Sequence, residues 1–198
     1  MTINIIAAIS KNKVIGLNGA IPWKISKDLK YFKRITSGQS KFEPGINACL
    51  MGRKTWDSLP SYPEPLPNRA SIVITKNNTH KIRSNLIYND IPTDEDMCRI
   101  KKKYSNIWIC GGESIYNHFI NKSYIDKLYL TEIHEEIEGD TFFPEIPDYF
   151  HKVIQGETNQ FQLNALQYSN YNFNVYNNCS LKNTTLFDNN LEINSNSI

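Results

Sequence analysis

Ile107-Trp108-Ile109-Cys110-Gly111-Gly112-Glu113-Ser114-Ile115-Tyr116 is the stretch that decides the fold class. Its first half is a short apolar run of β-branched and aromatic residues, which reads as a buried strand. Two glycines end that run, and residues 113–119 then read as a short helix. A strand that hands over to a helix within two residues is the unit of an α/β sheet covered by helices. The same pattern recurs at Ala48-Cys49-Leu50-Met51-Gly52-Arg53-Lys54-Thr55, where an apolar run meets a helix start at Gly52.

The alternation continues outward from these two junctions. Strands are expected at residues 3–9, 46–51, 71–75, 85–88 and 106–110, with later strands at 127–134, 150–155 and 171–176. Helices are expected at 26–35, with Ser26 as N-cap, from Gly52 to Trp56, and over 93–103. Residues 11–24 form a turn-rich loop. Four prolines between Pro60 and Pro67 keep residues 60–69 out of regular structure. The expected architecture is a single α/β domain with a central, mostly parallel β-sheet, an antiparallel C-terminal strand and helices on both faces. The domain is expected over residues 1–177, followed by an Asn-rich C-terminal extension over 178–198 that is poor in large apolar residues and expected to be poorly ordered.

Composition excludes several classes. The 198-residue chain is 40% hydrophobic and 21% charged, with a net charge of +2 from 22 basic and 20 acidic residues. The mixed charge offers no polyanion-binding face, so no nucleic acid is expected. The first nine residues carry no basic leader, and no apolar run approaches membrane-spanning length, so no membrane partner is expected and the cytoplasm is the expected location. Cys49, Cys98, Cys110 and Cys179 are too far apart for a paired metal-ligand motif, as are the four histidines. Sequon-like triplets at Asn77-Asn78-Thr79 and Asn183-Thr184-Thr185 carry little weight in so Asn-rich a chain.

Two features carry chemistry. The junctions at Gly52 and at Gly111-Gly112 each offer a helix start; the first adds Arg53, Lys54 and Thr55, which suit a phosphate as well as a solvated helix end. Glycines let backbone approach a ligand closely, although Gly111-Gly112 is not the Gly-x-Gly-x-x-Gly fingerprint of a standard dinucleotide fold. Two such junctions in one chain suggest a ligand with more than one phosphate across the strand ends. The second feature is Asp28, a lone carboxylate in an apolar segment behind Gly19-Ala20-Ile21-Pro22-Trp23. It reads as a solvent-facing acid at a helix start, or as the floor of a pocket for a flat, nitrogen-rich ring.

The chain resembles the dihydrofolate reductase family over residues 3–177. The resemblance rests on Val14-Ile15-Gly16, Ile21-Pro22-Trp23, Asp28, Tyr31-Phe32, Met51-Gly52-Arg53-Lys54-Thr55-Trp56, Leu66-Pro67-Asn68-Arg69, Gly111-Gly112, Leu130-Thr131 and Glu138-Gly139-Asp140-Thr141-Phe142-Phe143-Pro144. Each block is modest alone; their order and separations are specific. The resemblance implies NADPH-dependent reduction of dihydrofolate, with binding of antifolates such as methotrexate, by a monomer of a single function. It implies that Asp28 hydrogen-bonds the pterin amino group and adjacent ring nitrogen, that Thr131 supports this carboxylate, and that Trp23 helps hold a water. Ile6, Ala7, Leu17, Phe32, Leu59, Leu66 and Cys110 would line the folate pocket, and Arg69 would grip the α-carboxylate of the glutamate tail.

On the cofactor side, Arg53, Lys54 and Thr55 would hold phosphates, and Thr75 and Lys76 would flank the adenosine 2'-phosphate. Ala8, Ile15, Gly16, Gly52, a cis Gly111-Gly112 peptide, Glu113, Ser114, Ile115 and Tyr116 would lie against the rest of the cofactor. The loop from Gly16 to Lys24 would act as a lid. Three departures stand out: Cys110 where the family usually has Ile or Val, a longer loop at 60–65, and Asp rather than the Glu of vertebrate members. A same-fold alternative is a pyrimidine reductase of riboflavin synthesis, against which the set Trp23, Asp28, Phe32 and Arg69 argues. A folate- or RNA-binding relic without catalysis is the alternative from another class.

Overall fold

In the computed structural model, the structure describes residues 1–37, 46–76, 83–165 and 167–180. The two sequon-like triplets lie outside these residues, and so does the C-terminal extension from residue 181 onward. In chain order the elements are β1 (Thr2–Ile9), β2 (Val14–Gly16), α1 (Ser26–Thr36), β3 (Asn47–Gly52), α2 (Arg53–Asp57), β4 (Arg69–Ile74) and β5 (Leu86–Tyr88). There follow α3 (Asp94–Lys103), β6 (Asn106–Ile109), α4 (Glu113–Phe119), β7 (Lys127–Ile133), β8 (Thr141–Phe142), β9 (Phe150–Gln155), β10 (Asn159–Asn164) and β11 (Gln167–Asn178).

The nine-stranded sheet has the order β10-β11-β7-β1-β6-β3-β4-β5, with β9 also paired to β11. All pairings from β7 across to β5 are parallel. The expected antiparallel C-terminal strand is β11, and β9 and β10 add antiparallel partners along its other edge.

Alternation along the strands explains the two layers. Ile3, Ile5, Ala48, Leu50, Ile72, Ile107 and Ile109 face one side, where Met97 and Ile100 of α3 and Ile115 and Phe119 of α4 complete the core. Ile6, Cys49, Met51, Val73 and Trp108 face the other, against Tyr31, Phe32 and Ile35 of α1 and Trp56 of α2. Period-two strands with both faces apolar require helices on both sides, as the sequence indicated.

Several local expectations need correction. Ser26 is not the N-cap of α1: Ile25 holds that position, without a side-chain cap bond. Ile25 is 5% exposed in a cluster with Trp23 and Tyr171, so packing rather than capping sets where this helix begins. Thr93 does cap α3, in a reciprocal box with Asp96. The short pair β2–β8 and the strand β10 were not foreseen, and β11 begins four residues early. The end of the chain also differs: β11 runs to Asn178, which is buried, and Cys179 N still donates to Tyr149 O at 2.9 Å.

Candidate active site

The C-terminal ends of the parallel strands open onto a cleft of about 1350 Å³. Because the strands run the same way, the residues after β1, β3, β4, β5 and β6 share one rim. Ile6, Ala7 and Ala8 come from β1, Gly52, Arg53, Lys54 and Thr55 from the β3–α2 junction, and Thr75 and Lys76 from the end of β4. Cys110, Gly112, Glu113, Ser114, Ile115 and Tyr116 come from the β6–α4 junction, while Ile15, Gly16 and Trp23 come from the β2 loop. Phe32 and Asp28 reach in from α1, and Leu59 from beyond α2. The cleft therefore unites most residues singled out in the sequence.

Asp28 sits in the first turn of α1, half-buried at the cleft floor. The Thr131 hydroxyl, from the middle of β7, donates to its Oδ1 at 2.6 Å. Burial raises the Asp28 carboxyl above its ordinary value, and the Thr131 bond lowers it in part. A proton is thus held more tightly than in water, unless a cationic ligand compensates the charge.

Opposite, the Tyr116 hydroxyl donates to Ile6 O at 2.8 Å, and burial pushes this phenol well up, so it stays a neutral donor. Its ring packs over Gly111, where a Cβ would stand 2.7 Å from Tyr116 Cε2 and where φ is +98°. Only glycine fits there. Gly52 N donates to Gly111 O at 2.7 Å, which ties the two glycine junctions together, and the Gly111–Gly112 peptide is cis.

Four expected residues stand one layer back from the surface of the cleft. Thr131 acts on it through Asp28, and Gly111 is buried beneath Tyr116. Leu66 is buried in the cluster that holds Ile6, Met51 and Phe32. Arg69 is 6% exposed; its Nη1 donates to Thr36 Oγ1 at 2.6 Å, its Nε to Pro67 O at 3.1 Å, and its guanidinium lies 5.5 Å from the Phe32 ring. Among the described residues it has no carboxylate partner.

Leu17 departs from its expected place. It does not line the cleft, because it exchanges backbone hydrogen bonds with Ala20 at 2.9 and 3.0 Å; Gly19, Ala20 and Ile21 of the same turn line it instead. That turn is fastened by Asn18 N, which donates to Asp140 Oδ2 at 2.8 Å and holds the carboxyl below its usual range.

Other lining residues were missed. Ile25 and Leu29 flank Asp28 at helical spacing, so periodicity around Asp28 could have found them. Asn89, Asp90 and Ile91 follow β5 as Thr75 follows β4, so the strand-end rule could have found them too. Ser58, Pro60 and Thr141 carried no such signal. Among the described residues no group of three or more His, Cys, Asp or Glu could hold a metal ion.

Comparison with known proteins agrees with this geometry. A family model described as dihydrofolate reductase matches residues 2–178. The chain is 37% identical over 158 residues to a dihydrofolate reductase of Heliothis virescens, an alignment covering 76% of this chain and 84% of the relative. It is 36% identical over 152 residues to one of Drosophila melanogaster, covering 76% and 83%. A Sus scrofa dihydrofolate reductase is 38% identical over 151 residues, covering 73% and 80%. A cleft built at the strand ends around a half-buried acid, in a chain matched over residues 2–178, leaves one conclusion: this protein belongs to the dihydrofolate reductase family.

Proposed function

We propose that this chain reduces 7,8-dihydrofolate to 5,6,7,8-tetrahydrofolate with NADPH, serving one-carbon metabolism and thymidylate synthesis. The observation that carries the reading is Asp28, a raised, half-buried carboxyl on the cleft floor braced by Thr131.

The residues present fit the cofactor. Arg53, Lys54, Thr55, Thr75, Lys76 and Ser114 bring cations and hydroxyls to one wall of the cleft, as a phosphate-bearing ligand needs. A Cβ on Gly112 would meet only Thr55 Oγ1, at 3.5 Å, so this backbone is open to close approach. When bound, NADPH supplies the hydride that reaches the pterin carbon bearing the methylene bridge.

The chain's own residues orient, charge and dry the site. Asp28 accepts hydrogen bonds from the pterin amino group and the adjacent ring nitrogen, and its charge favours the protonated, more electrophilic ring. The neighbouring ring nitrogen of the pterin takes up the proton. Ile6, Phe32 and Leu59 exclude bulk water, Trp23 helps hold a water near the pterin, and Arg69 pairs with the glutamate α-carboxylate. The loop from Gly16 to Lys24, whose turn at 17–20 is fastened to Asp140, is the lid. No helix among the described residues is long and apolar enough to cross a membrane. The reading includes a monomer in the cytoplasm.

The test is NADPH oxidation by purified protein, with and without dihydrofolate and methotrexate. Dihydrofolate-dependent oxidation blocked by methotrexate is expected. Asp28→Asn should cut it about 10²–10⁴-fold with NADPH affinity unchanged. Methotrexate binding without turnover would instead favour a folate-binding relic.

A further inference from the structure

Lys76 and Asp90 leave neighbouring strands at the same end of the cleft. Strands β4 and β5 are parallel, with Ile74 opposite Tyr88, and Thr75 N donates to Tyr88 O at 2.9 Å. Two residues past that pair the chain reaches Lys76 on one side and Asp90 on the other, both exposed and both lining the cleft. Neighbouring strands lie about 4.8 Å apart, so a cation and a carboxylate are brought to one corner of the cofactor wall. Four carboxylates among the described residues line the cleft. Asp28 is held by Thr131 on the floor, Asp140 by Asn18 N, and Glu113 opens α4 beyond Gly112. Of these, only Asp90 stands at the ends of β4 and β5, and the functional reading leaves it without a role.

We propose that Asp90 is a specificity-determining residue of that wall: its carboxylate receives the free ribose diol of NADH and opposes the 2'-phosphate that Lys76 attracts, so this chain reduces dihydrofolate with NADH as well as with NADPH. The inference rests on the functional reading above. A carboxylate beside the ribose accepts hydrogen bonds from an unmodified 2'-hydroxyl, whereas a cation suits the phosphate. The chemical step is the same with either cofactor. One hydride passes from the dihydronicotinamide to the pterin carbon, the adjacent ring nitrogen takes one proton from solvent, and the oxidised dinucleotide leaves.

Local bonding fixes the carboxylate without using it up. Asp90 Oδ1 accepts from Ile91 N at 2.8 Å, a bond within its own turn. Among the described residues Oδ2 accepts no hydrogen bond, so this oxygen can meet a ligand hydroxyl. Lys76 and Asp90 form no ion pair with each other, and neither charge cancels the other before a ligand arrives. Both are exposed, so water and salt screen them and each shifts the choice by a modest factor. A carboxylate about 7 Å from a doubly charged phosphate weakens its binding about five- to tenfold in a water-like medium.

The test titrates purified full-length protein with adenosine 2',5'-bisphosphate and with adenosine 5'-monophosphate by calorimetry, then measures dihydrofolate-dependent oxidation of NADPH and of NADH. Asp90→Asn keeps the oxygen that accepts from Ile91 N and removes the charge. It should bind the bisphosphate about five- to tenfold more tightly in dilute buffer, an advantage that fades in about 0.5 M salt, and the monophosphate more weakly. The NADPH-to-NADH ratio of kcat/KM should be no more than about a hundredfold in the wild type and should rise about tenfold in the variant. Lys76→Gln should move both ratios the opposite way. Fragment affinities that Asp90→Asn leaves unchanged, or a larger wild-type ratio, overturn the proposal. Fragment binding with oxidation of neither cofactor would defeat the functional reading, while the titrations still decide what Asp90 does.

Discussion

Replacing Thr131 by Val removes one hydroxyl and almost no volume, which isolates its bond to Asp28. That hydroxyl donates to Oδ1 at 2.6 Å from a residue 2% exposed, so water cannot take its place. A hydrogen bond to a charged group is worth about 1.5–3 kcal/mol, or about 10- to 150-fold where Asp28 must be ionised. Burial already raises the Asp28 carboxyl and the Thr131 bond opposes it, so the variant holds its proton to still higher pH. The acid limb of kcat/KM for dihydrofolate, measured from about pH 5 to about pH 9 at saturating NADPH, should move to higher pH. Stability follows the same sign. An acid whose folded pKa is raised favours folding only while protonated, and ionisation costs stability as pH climbs from the unfolded value of 3.8 through the folded one. The Tm deficit of Thr131→Val should therefore grow with pH over that window. Thr131→Ser keeps the donor and should restore the pH profile even if it loses some Tm through the missing methyl. A Thr131→Val profile that overlays the wild type, or a limb that moves to lower pH, would refute the role assigned to this bond.

Arg69→Gln should raise KM for dihydrofolate about tenfold or more with kcat nearly kept, while turnover of 7,8-dihydropteroate, which lacks the glutamate tail, stays unchanged; equal losses for both substrates would remove Arg69 from tail recognition. Gly111→Ala should cost about 1–3 kcal/mol in urea unfolding, because its φ of +98° and the Tyr116 ring 2.7 Å from the new Cβ both oppose a side chain; an unmoved midpoint would contradict that geometry. Ending the chain at Ser180 should leave Tm and activity unchanged. Ending it at Asn177 should cost about 2–3 kcal/mol, since it removes the bonds from Asn178 N to Asp126 O, Asn178 Nδ2 to Ile125 O and Cys179 N to Tyr149 O. Equal melting temperatures for the two truncations would show that these ties carry no stability.

The centre of the parallel half was legible because β3, β4 and β6 are buried on both faces and β3 and β6 run straight into glycine and a helix start. The antiparallel half was less so. Strand β10 buries only Phe161 among its six residues, and β2 and β8 are too short for periodicity to act on, so long-range bonds such as Asp140 N to Gly16 O define that region. Asparagine content also misled at the boundary: Asn178 falls in the Asn-rich extension expected to be poorly ordered, yet it is buried, with its side-chain amide bonded to Ile125 O.

The same division runs through the site. Once the strands are known to be parallel, their C-terminal ends must share a rim, and Gly52, Thr75, Cys110 and Gly112 can be assigned to one cleft from local sequence alone. What floors that cleft cannot be found in this way. Asp28 and Thr131 are 103 positions apart and meet only because β7 pairs with β1, setting Thr131 beside Ala8, while α1 packs across that face. Residue type made Asp28 a solvent-facing helix acid as readily as a pocket floor. The hydroxyl that settles the matter belongs to a strand whose place in the sheet is fixed by long-range pairing, so the chemistry of the rim is local information and the chemistry of the floor is tertiary.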